Sequence, residues 1–123
     1  MFKQSEQTAE RYFGVDVTED GALVVAERQD GRRAGTARYP AGAAGVSELR
    51  DHICGLQSRP HVCIRACGGA ALAVAVGLMS VPRVEVTMVA PRALEMRRAG
   101  VEPTTAEAEG RAERLAQRAE HLF

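Results

Sequence analysis

His61-Val62-Cys63-Ile64-Arg65-Ala66-Cys67-Gly68-Gly69 is the stretch on which the fold turns. Pro60 introduces it, β-branched Val62 and Ile64 mark a strand buried on at least one face, and the paired glycines end it. Ala70 to Met79 follows, apolar nearly all round, and reads as a helix packed under its neighbours. Val84 to Val89 is the next strand candidate. A strand, a helix and a second strand in that order describe a crossover between parallel strands.

Upstream the pattern is different. Residues 1 to 10 are polar and read as a flexible terminus, with order expected from Arg11 onward. Tyr12 to Val17 and Ala22 to Glu27 are β-rich runs separated by Thr18-Glu19-Asp20-Gly21, a turn signal. A second turn, Gln29-Asp30-Gly31-Arg32, leads to a weaker run from Gly35 to Tyr39, so three strands form an antiparallel meander. Pro40 breaks the ladder. From Ala43 to Gln57, Val46, Leu49, Ile53 and Leu56 fall at steps of three and four, which predicts a helix with one buried stripe.

Downstream, Pro91 suits the first turn of a helix through Ala99, stopped by Gly100. After Val101-Glu102-Pro103, Thr104 or Thr105 can cap a last helix, with Glu107 and Glu109 near its positive end. On it Ala108, Ala112, Leu115, Ala119 and Leu122 make a seam of about two heptads. The seam reads either as a contact for a second copy or another protein, or as an ordinary helix laid on its own domain. The order β-β-β-α-β-α-β-α predicts an α/β chain with a ribonuclease H-like mixed five-stranded sheet, a three-strand antiparallel meander plus two parallel strands, with helices on its faces. The expected division is a flexible 1–10, a domain over 11–103 and a C-terminal helix over 104–123.

Composition narrows the function. The 123 residues suffice for one domain but not for two lobes closing on a nucleotide. Sixteen basic residues balance sixteen acidic ones, so any attraction to nucleic acid has to be local. Lys3 is the only lysine, and arginine is the better residue for paired contacts to carboxylates or phosphates. Three cysteines, Cys54, Cys63 and Cys67, without an apolar leader suggest a reducing cytoplasm. The apolar run from Ala70 to Val81 is too short for a bilayer, and no membrane segment is expected.

Three phrases, Gly14-Val15-Asp16-Val17-Thr18, Tyr39-Pro40-Ala41-Gly42-Ala43-Ala44-Gly45, and Gly68-Gly69 after a strand, resemble the N-terminal domain of the DEDD transposases. These insertion-sequence recombinases include the pilin-gene invertase, and their catalytic domain is similar to the Holliday-junction resolvase RuvC. The resemblance covers about residues 12 to 118. It implies an acid on the first strand, matched by Asp16, and a second at the end of the fourth strand before the glycine pair, where this chain has Arg65. Two further acids belong near the start of a late helix. The nearest text here, Thr104-Thr105-Ala106-Glu107-Ala108-Glu109, puts alanine at the third and Glu109 at the fourth. The family's second domain has no counterpart in these residues.

Phosphodiester cleavage by such a domain uses two divalent ions held by converging carboxylates. A guanidinium is cationic at every accessible pH and opposes an ion at the same place. The resemblance therefore implies a catalytically inactive transposase-like domain without metal or cofactor, in which Asp16, Arg65 and Glu109 are vestiges of the site. Because the first and fourth strands are neighbours in the ribonuclease H order, Arg65 is expected to pair with Asp16. The competing expectation is that Arg65 reaches solvent.

The remaining function is then binding. Arg28, Arg32, Arg33 and Arg38 in the meander, with Arg97 and Arg98 in the later helix, are candidates for DNA phosphates, although solvated arginines look the same in sequence. The alternatives are a protein-interaction scaffold or homodimer through the last helix, and a surviving nuclease whose acids lie elsewhere. His61, Cys63 and Cys67 bring zinc or haem to mind, but the spacing lacks a paired CxxC and a packing role is the simpler reading.

Overall fold

The Asp30-Gly31 turn holds both residues at positive φ, 57° and 75°, the primed geometry whose twist matches an antiparallel pair. The computed structural model, which describes residues 10–56, 59–66, 68–90 and 105–122, sets that turn between strands β2 (Leu23–Gln29) and β3 (Arg32–Tyr39). Strand β1 (Glu10–Val17) joins β2 through a turn in which the Gly21 N–H donates to the Thr18 carbonyl at 2.9 Å. The meander is present, with β1 starting one residue before Arg11 and β3 starting at Arg32 rather than Gly35.

Strand β4 (Arg59–Arg65) runs parallel to β1, and β5 (Glu85–Val89) parallel to β4, giving the order β3-β2-β1-β4-β5. The chain is thus α/β, a mixed five-stranded sheet carrying three helices among the described residues: α1 (Ala43–Cys54), α2 (Gly68–Met79) and α3 (Thr105–Leu122). Helix α1 stops at Cys54, short of the expected Gln57. The expected helix from Pro91 to Ala99 lies outside the described residues, as do residues 1–9, Cys67, Arg97 and Arg98.

Alternation along the strands separates two cores. Phe13, Val15, Val17, Leu23, Val25, Val62 and Ile64 face α1 and α2, meeting Leu49, Ile53, Ala71, Val74 and Leu78. Val24, Ala26 and Cys63 face the opposite way and lie under α3. Helix α2 is not enclosed as its uniform hydrophobicity suggested. It buries one side, and Leu72, Val76 and Met79, spaced four and three apart, are more than half exposed.

Ala108, Ala112, Leu115 and Ala119 do not form an interface for another chain, because they are buried on the sheet of this one. Only Leu122, at 53% exposure, stays outside. Residues 105–122 are therefore the third layer of the domain rather than an appendage to it. The reason is steric and starts at Gly14. A Cβ there would stand 2.0 Å from the Ala112 carbonyl oxygen and 2.3 Å from the Ala116 nitrogen, so the helix backbone rests directly on the strand. Alanines on one side and a glycine on the other make that approach feasible.

A similar contact sets α1, since a Cβ on Gly45 would lie 1.7 Å from the Pro40 carbonyl oxygen. Gly14 and Gly45 thus both have steric reasons to be glycine. No helix among the described residues is long and apolar enough to cross a membrane. Gly14→Ala is expected to destabilise the fold by about 3 kcal/mol or more, because backbone has to move on both sides of the clash. Urea unfolding measures it, and a shift below about 0.5 kcal/mol would show that α3 is not seated so closely.

Candidate functional site

Parallel pairing of β1 and β4 runs through Gly14 with Cys63 and Val15 with Ile64. One step further, Asp16 and Arg65 emerge together on the face covered by α3, as the strand period requires. Asp16 is fully buried. The Arg65 Nε donates to Asp16 Oδ1 at 3.1 Å. Arg111, from the second turn of α3, adds a two-pronged contact: its Nε donates to Oδ1 at 3.2 Å and its Nη2 to Oδ2 at 3.0 Å.

A buried carboxylate is costly unless paired and hydrogen-bonded, and here both oxygens accept from guanidinium groups. The arginine side chains are 15% and 16% exposed, so each extends from the buried carboxylate toward solvent. The Asp16 carboxylate lies between the two guanidinium groups. A divalent ion approaching Asp16 would have to displace directed hydrogen bonds and meet two like charges within a few ångströms. Glu109, the expected fourth acid, is exposed. The side chain that α3 brings to Asp16 is Arg111, which the sequence reading did not single out.

The meander arginines divide into two groups. Arg28 is held by carboxylates, with Nη1 2.5 Å from Glu113 Oε2 and Nε 2.9 Å from Glu120 Oε1, and its Nη2 donates to the Gly31 carbonyl at 2.8 Å. Hydrogen bonds and charge from the two glutamates push the Arg28 guanidinium further into its protonated range. Arg33 Nε lies 3.3 Å from Glu113 Oε1, and the Gly31 N–H donates to Glu120 at 2.8 Å. Together these contacts tie the β2–β3 hairpin to the middle and the last turns of α3. Arg32 and Arg38 are exposed and form no ion pair among the described residues.

At the other end of the sheet, His61 is buried and stacks on Tyr12 with ring centroids 5.4 Å apart. Its Nε2 lies 2.8 Å from Glu10 and its Nδ1 3.1 Å from Glu85. A cavity of about 230 Å³ bordered by Arg59, His61, Arg83, Val84 and Glu85 opens here and includes no member of the Asp16 cluster. Cys63 is fully buried against Leu115 and Ala119. Burial pushes its thiol up, opposed only in part by the charge of Arg118. His61 and Cys63 share a face but have different neighbours, and Cys67 lies outside the described residues.

Compared with known families, the chain matches no family model, and no curated protein matches it.

Two measurements follow from this geometry. Asp16→Asn leaves two guanidiniums around a neutral amide and is expected to lower stability by on the order of 3 kcal/mol. Arg65→Met and Arg111→Met should each cost less, because one cation stays on the carboxylate. An Asp16→Asn variant as stable as the parent would show that the cluster is not a structural pin. The second concerns alkaline pH. Cys63, Tyr12 and Tyr39 all have raised values, each mainly through burial. The folded chain keeps protons that the unfolded chain releases, so this stability is complete below the unfolded values and declines as pH rises from about 8.5 through the folded ones. The urea midpoint should fall between about pH 8 and pH 10, and less steeply in Cys63→Ala.

Proposed function

We propose that this chain is a catalytically silent, transposase-like domain of the ribonuclease H type that works as an accessory binding module. The observation that carries this reading is the buried Asp16 carboxylate engaged by both Arg65 and Arg111. The ion pairs give the carboxylate a structural use that needs no metal. The last helix is held by the same contacts, so recovering a metal site here would mean unseating a layer of the fold. A cytoplasmic, reducing setting belongs to the proposal and agrees with free thiols at Cys54 and Cys63.

Of the two classes of partner, protein is favoured over DNA. Arg28 is already engaged by Glu113 and Glu120, and Arg33, though 66% exposed, also meets Glu113. Carboxylates within the same cluster also repel phosphates. The last-helix seam is equally unavailable to a second copy, which directs attention to surfaces outside α3. DNA remains the second reading because Arg32 and Arg38 are exposed on one strand and cationic.

Two assays test the proposal. Incubation of the purified protein with branched and duplex DNA in Mg²⁺ or Mn²⁺ is expected to give no cleavage, and cleavage abolished by Asp16→Asn would refute a silent site. Gel retardation over a salt series is expected to show no tight complex. A complex that weakens steeply with salt and is lost in Arg32→Ala/Arg38→Ala would transfer the assignment to DNA.

A further inference from the structure

Strand β3 ends the sheet, and its outer edge is where we propose an extended, acidic segment of a partner protein adds as a sixth strand; the inference rests on the protein-binding reading above. Every strand interior to the sheet has two neighbours, whereas β3 pairs only with β2 among the described residues. A strand with one neighbour presents a row of backbone donors and acceptors to whatever can match them. The row is long here, since Arg32–Tyr39 is eight residues and spans about 26 Å at the usual rise per residue.

Little of the strand is covered among the described residues: Tyr39 packs on the core beside α1, and Arg33 meets Glu113 of α3. Six of its eight residues are exposed, and only Gly35 and Tyr39 are partly covered. By its pairing with β2, Arg38 stands beside Val24 and Thr36 beside Ala26 on the α3 side, while Ala37 stands beside Val25 on the other. An added strand would therefore meet side chains of modest size at the centre and arginines toward both ends.

Charge selects the occupant. Strand β3 contains three arginines and no acid. Arg33 already has Glu113, but Arg32 and Arg38 have no ion-pair partner among the described residues. Arg38 acts on Asp20 only weakly: that carboxyl is held low chiefly by the Thr18 hydroxyl and the Ala22 amide, with Arg38 a smaller contributor. A second copy of β3 laid antiparallel on the first brings Arg32 or Arg33 opposite Arg38 in the registers that use the whole strand, and like charges directly opposite are destabilising. The same placement favours glutamate or aspartate on the incoming strand. The bulge between Glu27 and Arg28 shifts the register near the hairpin end and leaves Gly35 to Tyr39 as the regular part of the edge.

The test uses the full chain and a fluorescein-labelled octapeptide of alternating threonine and glutamate. Three controls accompany it: the lysine counterpart, the glutamate peptide with alternate amides methylated, and a duplex DNA competitor. Saturable binding of the glutamate peptide is expected, with slowed deuterium exchange in residues 32–39 and no binding of the methylated form. Arg38→Glu should weaken it about threefold, the size of one cross-strand charge pair, and bring the lysine peptide into binding. Absence of binding, equal binding of the methylated peptide, competition by duplex DNA, or a protein dimer dispersed by Arg38→Glu would each overturn the proposal. None of these outcomes touches the silent-site reading, which falls only by metal-dependent cleavage in the same preparation.

Discussion

A single carboxylate, that of Asp16, is shared by two arginines from different layers, and the arrangement of the domain depends on it. Arg65 comes from the neighbouring parallel strand and Arg111 from the helix above. The contact fixes where β1, β4 and α3 meet. A pair between strands alone would leave the helix free to slide, and a pair between strand and helix alone would leave Arg65 to find solvent. Because Asp16 is fully buried, it is withdrawing the carboxylate, rather than either arginine alone, that leaves charge uncompensated there.

The seat of α3 has three parts that act in concert. Gly14 lets the helix backbone come down on β1, and the alanine stripe keeps it there. Asp16 holds the helix at Arg111, and Arg28 holds it at Glu113 and Glu120. Small side chains contribute limited apolar area, so directed ionic contacts at both ends have more to decide here than they would along a leucine-rich seam. The same economy of area is visible on α2, where hydrophobic residues outnumber the neighbours available to cover them.

Sheet order and strand pairing were legible in the sequence because turn residues and β-branched runs act locally. The Asp16–Arg65 pair was legible too, since parallel neighbours with known order bring residues of one face together. Arg111 was not. It lies 95 residues from Asp16, and helical periodicity shows which side of α3 is apolar without saying which polar residue flanks that side at the strand's end. Its position one residue before Ala112, at the border of the buried stripe, was the available signal. The partners of Arg28 were hidden for a related reason: a cluster of arginines in the meander gives no sign of the glutamates that a distant helix lays over it. The uncovered side of α2 was hidden because a uniformly apolar helix gives no phase by which to tell its two sides apart.

The central claim is that arginine, and not a divalent cation, satisfies Asp16 in the working protein. Paramagnetic broadening by Mn²⁺ in amide NMR spectra reads this directly, since an ion at Asp16 would erase the signals of Val15, Val17 and Ile64 first. The account requires those signals to survive at Mn²⁺ levels that broaden exposed acidic positions such as Glu109. Selective loss around Asp16 at micromolar Mn²⁺, reversed by Mg²⁺, would contradict it.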